Sequence, residues 1–167
     1  MFLSRRRLVL IGTATVIVGV IILLPLILTI TLPDLGAISI IVKKIELEKL
    51  SGDNNTATLN VIFNIENPTG QALTTSKIDY ELIADGESLG EHSKSFIDIP
   101  VNGRPQLLSN TDTNISSVIE TSISDKSIRT DLLRNNQSIE NIEWIINGNA
   151  IIESGFSSAP KIFNTTW

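Results

Sequence analysis

The chain has no cysteine and only one histidine, His92, among its 167 residues. The absence of cysteine excludes disulfides, thiolate metal sites and cysteine nucleophiles. A single histidine also excludes any mechanism that needs two imidazole groups. The length predicts about one domain. With 42% hydrophobic and 19% charged residues, the composition is that of a folded protein.

Basic residues are scarce after position 33. Arg5, Arg6 and Arg7 are the only charged residues before that point, so the remaining 10 basic residues face all 18 acidic ones and give a net charge of −8. Nucleic-acid binding requires clustered lysine and arginine side chains against the phosphates. We therefore expect no nucleic-acid partner.

Charge is absent altogether from residues 8–32. As a helix, these 25 residues would be roughly 37 Å long, enough to cross a hydrocarbon core of about 30 Å. A buried helix of a globular protein seldom lacks charge for so long. A cleaved signal peptide has a shorter apolar core, usually about 7–15 residues, followed by a small-residue cleavage pattern that residues 29–36 lack. The sequence therefore predicts an uncleaved transmembrane helix over residues 8–32, with the lipid bilayer as a partner.

The arginines before this segment determine its predicted orientation. The positive-inside bias places residues 1–7, a basic tip, in the cytoplasm and the rest of a single-pass membrane protein outside. Residues 33–44 are predicted to form a linker and the start of the first strand. Residues 45–167 are predicted to form an extracytoplasmic β-sandwich domain.

Alternation of apolar and polar residues predicts an all-β domain. In TLNVIFNIEN, Leu59, Val61, Phe63 and Ile65 point to one side, which is typical of a half-buried strand. The segments KKIELEKL, SKIDYELIADG and KSFIDIPVNG, and more weakly RPQLLSNTDTNIS, predict further strands. IEWIINGNAIIESGF predicts a strand pair or one long strand that bends around Gly148. Asp85 with Gly86 predicts a tight hairpin. Helical spacing in SDKSIRTDLLRNN predicts one short helix, and about seven short strands predict a β-sandwich.

The segment NPTG follows the clearest strand pattern. Asn67-Pro68-Thr69 is not a glycosylation acceptor, because proline in the middle excludes it. Pro68 cannot donate a backbone hydrogen bond to a neighbouring strand, so it is predicted to end the strand or confine it to an edge. The Asn67 side chain is predicted to hold a nearby loop.

Several short motifs follow one another in a recognisable order. They run from Asn67-Pro68 through IDYELIADGESLGE, IDIPVNG and a helix with paired leucines to INGNAII, within residues 45–152. This order resembles the group 2 late embryogenesis abundant family, which carries the water stress and hypersensitive response (WHy) domain. The positions that match the family pattern are Asn67, Pro68, Tyr80, Gly86, Gly90, Pro100 and Gly148. Thr69 departs from the usual Asn-Pro-Asn and is expected to alter one turn contact.

The resemblance implies an Ig/fibronectin-III-like sandwich of about seven strands with one short helix. It also implies a role in tolerance of desiccation, cold and other stress. Some plant members carry a membrane helix before the domain. The family has no known catalytic residues, so none is assigned to this chain and no cofactor is expected.

Two motifs match site patterns but lack the required context. GESLG matches the nucleophile pattern G-x-S-x-G around Ser88, which requires a strand followed by a helix. The only candidate base, His92, is predicted on the same strand face, two pleats away and too distant for a direct hydrogen bond. NTDTN matches the first half of a calcium loop, yet Ile115 and Thr121 occupy the positions that require glycine and glutamate.

Two carboxylate pairs, Asp79 with Glu81 and Glu46 with Glu48, each share a strand face that is predicted to be solvated. Without an apolar pocket their pKa values do not separate into an acid and a base. We therefore predict no catalytic site and no metal site.

Four asparagines begin intact Asn-x-Ser/Thr sequons. They are Asn54, Asn114, Asn136 and Asn164. In an extracytoplasmic domain these are candidate N-glycosylation sites, and we expect them on loops.

Two functions fit these features. The first is a non-enzymatic, membrane-anchored stress-protection module that displays a hydrated acidic sandwich outside the membrane and shields envelope proteins or lipid headgroups. The alternative is an envelope interaction module or an accessory subunit of a membrane or surface-layer complex, since a sandwich fold does not determine function. An enzyme is least expected, because no convergent acid and base are present.

Overall fold

A computed structural model describes residues 5–31, 33–51, 56–123, 139, 142–155 and 157–167. The chain divides into two compact units, Met1–Pro33 and Asp34–Trp167. In the first unit, helix α1 covers Arg5–Thr31 and contains Pro25. Among the residues described, no helix has both the length and the apolar character needed to cross a membrane. The predicted transmembrane helix over residues 8–32 is thus not confirmed.

The second unit is built from β-strands. After a 3-10 turn at Leu35–Ala37, its described strands are β1 Ser39–Leu50, β2 Thr56–Asn67, β3 Leu73–Ala84, β4 Glu87–Ser95, β5 Gln106–Leu107, β6 Thr111–Ser122, β7 Trp144–Glu153 and β8 Ser158–Thr166. β5 has only two residues, and the other seven are long, so the all-β prediction is confirmed. The predicted short helix falls on residues 124–136, which lie outside the described residues.

The strands form two antiparallel sheets. The first has the order β1-β2-β6 and the second β4-β3-β7-β8, with β5 paired to the start of β3. Phe63 of β2 and Tyr80 of β3 meet edge to face between the sheets, with ring centroids 4.9 Å apart. The Tyr80 hydroxyl also donates a 3.0 Å hydrogen bond to Ser117 Oγ of β6. The two sheets therefore share one core.

The core is made mainly of the inward side of each strand. Its largest fully buried side chains are Trp144, Phe63, Ile38, Ile45, Leu59, Ile65, Leu73, Ile78, Leu82, Leu107 and Ile123. The alternation predicted for β2 is confirmed, because Leu59, Val61, Phe63 and Ile65 are all buried.

Strand β1 departs from simple alternation at two bulges. The register shifts between Val42 and Lys44 and again between Leu47 and Lys49. A bulge adds one residue to one strand and so changes which side the following residues face. Val42 and Ile45 are consequently both buried, although they are three positions apart.

A two-residue turn joins β3 to β4. Asp85 and Gly86 have φ angles of 48° and 84°, and Ala84 pairs with Glu87. Positive φ at both central residues is what a type I′ hairpin requires. The predicted hairpin is confirmed.

The strand predicted in KSFIDIPVNG is wrong beyond Ser95. Residues 96–110 instead form an irregular connection between β4 and β6 that contains β5 and a 3-10 turn at Val101–Gly103. Pro100 and Pro105 cannot donate the backbone hydrogen bonds that a central strand needs. We call residues 96–110 the apolar loop, because several of its aliphatic side chains are exposed.

The chain enters the second unit at one end of the sandwich. β1 begins with Ser39 opposite Glu66, near the end of β2, and β3 begins with Leu73 opposite Leu107. The entry of the chain into the domain, the turn after Asn67 and the apolar loop therefore lie at the same end, which we call the entry end.

Candidate functional site

Asn67 lies at the centre of the entry end and is fully buried. Its Nδ2 donates hydrogen bonds to the carbonyl oxygens of Gln71 at 2.8 Å, Leu107 at 2.8 Å and Leu108 at 3.2 Å. Its Oδ1 accepts from the backbone N–H of Thr69 at 3.0 Å and from the Thr69 hydroxyl at 2.7 Å. The side chain thus holds both the turn after β2 and the apolar loop, as the sequence predicted.

The outer face of the second sheet carries two rows of mainly polar side chains across four strands. One row contains Glu91, Glu81, Asn147 and Asn164. The next contains Ser93, Asp79, Asn149 and Ile162. We call these eight residues the polar face. With Lys77 they line a shallow groove of about 850 Å³, which is the candidate binding surface.

Two of the three carboxylates on the polar face, Asp79 and Glu81, have side-chain partners. Lys77 Nζ lies 2.8 Å from Asp79 Oδ2. Burial by itself would raise the pKa of the Asp79 carboxyl, but hydrogen bonds from Lys77 and Ser93 and the charge of Lys77 together hold that pKa below 3.8. Ser88 Oγ donates a 2.7 Å hydrogen bond to Glu81 Oε1. Asp79 therefore remains ionised at neutral pH, which suits a hydrated surface better than proton transfer.

Amide groups occupy the far side of the groove. Asn164 Nδ2 donates a 2.6 Å hydrogen bond to Asn147 Oδ1. Asn149 Oδ1 is buried and has no hydrogen-bond partner among the described residues. The groove thus offers carboxylate and amide oxygens together with the exposed aliphatic side chain of Ile162. Such a surface can hydrogen-bond water or a polar chain segment.

The G-x-S-x-G motif does not form a nucleophile site. Ser88 lies in strand β4, opposite Ile83, and its hydroxyl bonds to Glu81 on the outer face. His92 pairs with Tyr80 and faces the core, with ring centroids 5.7 Å apart. The prediction that Ser88 and His92 share a strand face is wrong. A bulge between them, where Gly90 has a φ of 101°, reverses the alternation.

Two titratable groups beside this bulge have shifted pKa values. Burial raises the pKa of the Tyr80 hydroxyl above 10.0, and the hydrogen bond with Ser117 opposes that shift. Burial lowers the pKa of His92 below 6.5 more than a hydrogen bond with the Leu89 backbone raises it. Both groups are therefore neutral at pH 7 and act as parts of the core.

In the segment that resembles a calcium loop, NTDTN, side chains form hydrogen bonds within the first sheet. Asn64 Nδ2 donates to Asp112 Oδ2 at 2.7 Å and to Asn114 Oδ1 at 3.0 Å. These oxygens accept hydrogen bonds from a neighbouring strand, which is how an exposed strand face is ordinarily satisfied. Among the described residues, no group of three histidine or carboxylate side chains could hold a metal ion.

The second carboxylate pair is also ordinary. Glu46 Oε1 lies 2.6 Å from Lys44 Nζ in an exposed ion pair. Glu48 is exposed on the same strand.

The sequons are not on loops where the structure describes them. Asn114 lies in β6 and Asn164 in β8, both exposed. The expectation of loop positions is wrong for these two, because their flanking residues continue the strand pairing. Asn54 and Asn136 lie outside the described residues.

The remaining positions of the family pattern have structural roles. Pro68 directly follows the last residue of β2, and Pro100 precedes the 3-10 turn of the apolar loop. A Cβ on Gly148 would lie 2.3 Å from Phe163 Cζ and 2.7 Å from the Asp79 carbonyl oxygen. Only glycine therefore fits beneath the Phe163 ring.

The sequence reasoning missed Arg104. Its Nη1 lies 2.6 Å from Glu153 Oε2, its Nε donates to the Ile99 carbonyl at 2.9 Å and its Nη2 donates to the Ile97 carbonyl at 3.2 Å. The partner Glu153 is 49 positions away. The only local signal was an arginine between a glycine and a proline, which does not identify such a partner.

Comparison with known proteins gives weak similarities. No family model and no curated protein matches the chain. Similar solved structures include a protein from Archaeoglobus fulgidus, with 11% identity and a TM-score of 0.47 over 77% of this chain and 92% of that chain. A protein from Arabidopsis thaliana has 15% identity and a TM-score of 0.46 over 75% and 78% of the two chains.

A putative late embryogenesis abundant protein is also among the similar structures. It has 11% identity and a TM-score of 0.48, and the match covers 100% of this chain and 93% of that chain. Scores this low carry no conclusion about function to this chain.

Proposed function

We propose that this chain is a non-enzymatic, membrane-tethered protective module that keeps a hydrated acidic sandwich at the outer membrane surface when water is scarce. The observation that carries the proposal is the polar face. Asp79 pairs with Lys77 and Glu81 accepts a hydrogen bond from Ser88, while Glu91 and the asparagine side chains extend the polar surface across the sheet. The stress context comes from the order of sequence motifs that resembles the WHy domain.

The polar face supports protection through hydration. Ionised carboxylates and amides retain water, and a net charge of −8 over residues 34–167 opposes self-association. Ile162 is the one large aliphatic side chain among the eight residues of the polar face. The sandwich can therefore stay dispersed beside proteins or headgroups as the water content falls.

Tethering is supported by the sequence of residues 8–32, which carry no charge. Within α1, Thr13 Oγ1 donates to the Val9 carbonyl at 3.0 Å and Thr15 Oγ1 to the Ile11 carbonyl at 2.9 Å. Hydroxyls bonded within their own helix are compatible with lipid. Arg5, Arg6 and Arg7 would then lie in the cytoplasm and the sandwich outside. No described helix has the length and apolar character needed to cross a membrane. The tether therefore requires an experiment of its own.

Survival of a deletion strain tests the protective role. Loss of the gene should lower survival after desiccation or osmotic shock, and the intact gene should restore it. A variant with Glu81→Val, Asn147→Val and Asn164→Val removes polar groups from the polar face and should fail to restore survival. Unchanged survival of the deletion strain across these stresses would contradict the proposal.

A matched control changes the same residue types on the other sheet. Glu120→Val, Asn60→Val and Asn114→Val lie on the outer face of the first sheet, and the set also removes one sequon, as the test set does. This control should restore survival as well as the intact gene. Equal failure of both variants would show that the polar face has no special role.

The groove favours a second candidate, an envelope interaction module or accessory subunit. A concave surface of about 850 Å³ with amide and carboxylate oxygens could receive an extended segment of a partner protein. Purification in mild detergent separates the two functions. A stoichiometric partner that is lost in the Glu81, Asn147 and Asn164 variant supports interaction, whereas a lone chain supports protection.

A further inference from the structure

The apolar loop exposes a concentrated set of aliphatic side chains. Ile97, Ile99, Val101 and Leu108 are between 40% and 58% exposed. In the described part of the second unit, the other large aliphatic side chains with such exposure are Ile41, Val118 and Ile162, which lie on three different strands. Concentrated apolar surface of this kind marks contact with a protein or a membrane.

Side chains of the protein bond the backbone carbonyls of the exposed aliphatic residues in the loop. The Arg104 guanidinium turns toward the protein, where it bonds the carbonyls of Ile97 and Ile99 and pairs with Glu153. Gln106 Nε2 donates to the Val101 carbonyl at 3.2 Å. An ordinary surface loop directs its charges outward and leaves its carbonyls to water. Here the carbonyls of Ile97, Ile99 and Val101 are bonded by protein, and the Leu108 carbonyl accepts from Asn67 and Thr111, which is the condition that lipid imposes on backbone groups.

The position of the loop indicates which surface it meets. It lies at the entry end, where Asp34 begins the second unit. Pro33 alone separates Asp34 from Leu32, so the two are less than about 10 Å apart along the chain. If residues 8–32 are held in a bilayer, as the proposed function states, the entry end lies close to the headgroups.

We propose that the apolar loop inserts Ile97, Ile99, Val101 and Leu108 into the interfacial region of the bilayer, so that the sandwich rests on the membrane by its entry end. The inference rests on the tether of the proposed function. Arg104 takes no part in lipid contact because it pairs with Glu153. Asp98, the other charged residue of the loop, lies at the level of the headgroups.

Site-directed spin labels in the full chain test this insertion. The chain has no cysteine, so Val101→Cys and Val118→Cys each place one label on the protein. The two valines are matched, with 58% and 54% exposure, but Val118 lies in β6 on the outer face of the first sheet. In phosphatidylcholine vesicles, the label at position 101 should collide more with oxygen and several-fold less with a water-soluble nickel chelate than the label at position 118.

Each possible result of the spin-label experiment either supports or overturns insertion of the apolar loop. Equal nickel accessibility at the two positions would overturn insertion. A label at position 101 that is shielded from both reagents would show that a protein covers the loop, which also overturns it. A third label, through Val16→Cys within residues 8–32, reports on the tether separately. If the label at position 16 contacts lipid while the label at position 101 contacts water, only the insertion of the loop is refuted. If the label at position 16 contacts water, the tether itself is refuted.

Discussion

Asn67 and Arg104 hold the same end of the sandwich by different chemistry. Asn67 is neutral and fully buried, and it bonds three carbonyls. Arg104 is charged, its side chain is 12% exposed, and it bonds two carbonyls and Glu153. A buried amide needs only hydrogen-bond partners, whereas a buried guanidinium also needs a counter-charge. The amide contact should therefore be insensitive to salt, and the charged contact should depend on its partner.

The largest expected effect comes from Asn67→Ala. The substitution leaves the Leu107 and Gln71 carbonyls without this donor and creates a cavity, so the free energy of unfolding should fall by about 2–4 kcal/mol. Urea denaturation followed by tryptophan fluorescence, to which the buried Trp144 contributes, measures it. As a control, Asn164→Ala removes an exposed amide in β8 and should cost less than about 0.5 kcal/mol. Equal losses would refute the role assigned to Asn67.

A smaller effect is expected at the charged contact. Arg104→Met should lower the free energy of unfolding by about 1–3 kcal/mol, because it removes two carbonyl bonds and leaves Glu153 partly buried without its partner. A double-mutant cycle with Glu153→Gln should give a coupling of about 1 kcal/mol. That coupling should shrink in high salt while the effect of Asn67→Ala stays constant. A coupling that does not change with salt would remove the proposed contrast.

Tyr80→Phe tests a neutral contact that joins the two sheets instead of two loops. Loss of the hydrogen bond to Ser117 should cost about 1 kcal/mol, since it leaves a buried hydroxyl unpaired. Adding Ser117→Ala should cost little more, because the unpaired group is then gone. Thermal unfolding of the single and double variants checks this. Fully additive losses would show that the two side chains do not act together.

The smallest expected effect is the pH response of His92. Its folded pKa lies below the ordinary 6.5 because of burial. The unfolded chain therefore takes up the proton first, and stability is full above pH 6.5 and falls as pH drops through the folded pKa. His92→Gln should flatten this slope, as seen in urea midpoints measured between neutral pH and pH 5. The Asn67 contact contributes nothing to it, so Asn67→Ala should keep the wild-type slope.

Local sequence signals predicted the amide contact but not the charged one. Asn67 was identifiable because Pro68 ends a strand whose alternation is clear in the sequence. Arg104 depends on Glu153 in another strand, and no local pattern indicates that pairing. The apolar loop was mistaken for a strand because Ile97, Ile99 and Val101 alternate. Alternation indicates a strand only where one side is covered, and here none of the three is buried.

The candidate surface was predicted only in part. The outward direction of Asp79 and Glu81 followed from the period of β3. The rows they form with Asn147 and Asn149 depend on the pairing of β3 with β7, which sequence alone does not specify. Ser88 and His92 lie on opposite faces of β4 because the strand contains a single extra residue between them. Such bulges shift a whole register, and only Gly90 hinted at this one.

The two bulges of β1 have a consequence for crowding. β1 is an edge strand of the first sheet, and such an edge is a template on which another chain can add a strand. The bulges interrupt its regular spacing, and charged side chains of both signs lie along it: Lys43, Lys44, Glu46, Glu48 and Lys49. When neighbouring copies are concentrated, each approaching edge would meet a bent strand with charged side chains. The same irregularity that hid the strand's pattern in the sequence thus opposes fibril formation at high concentration.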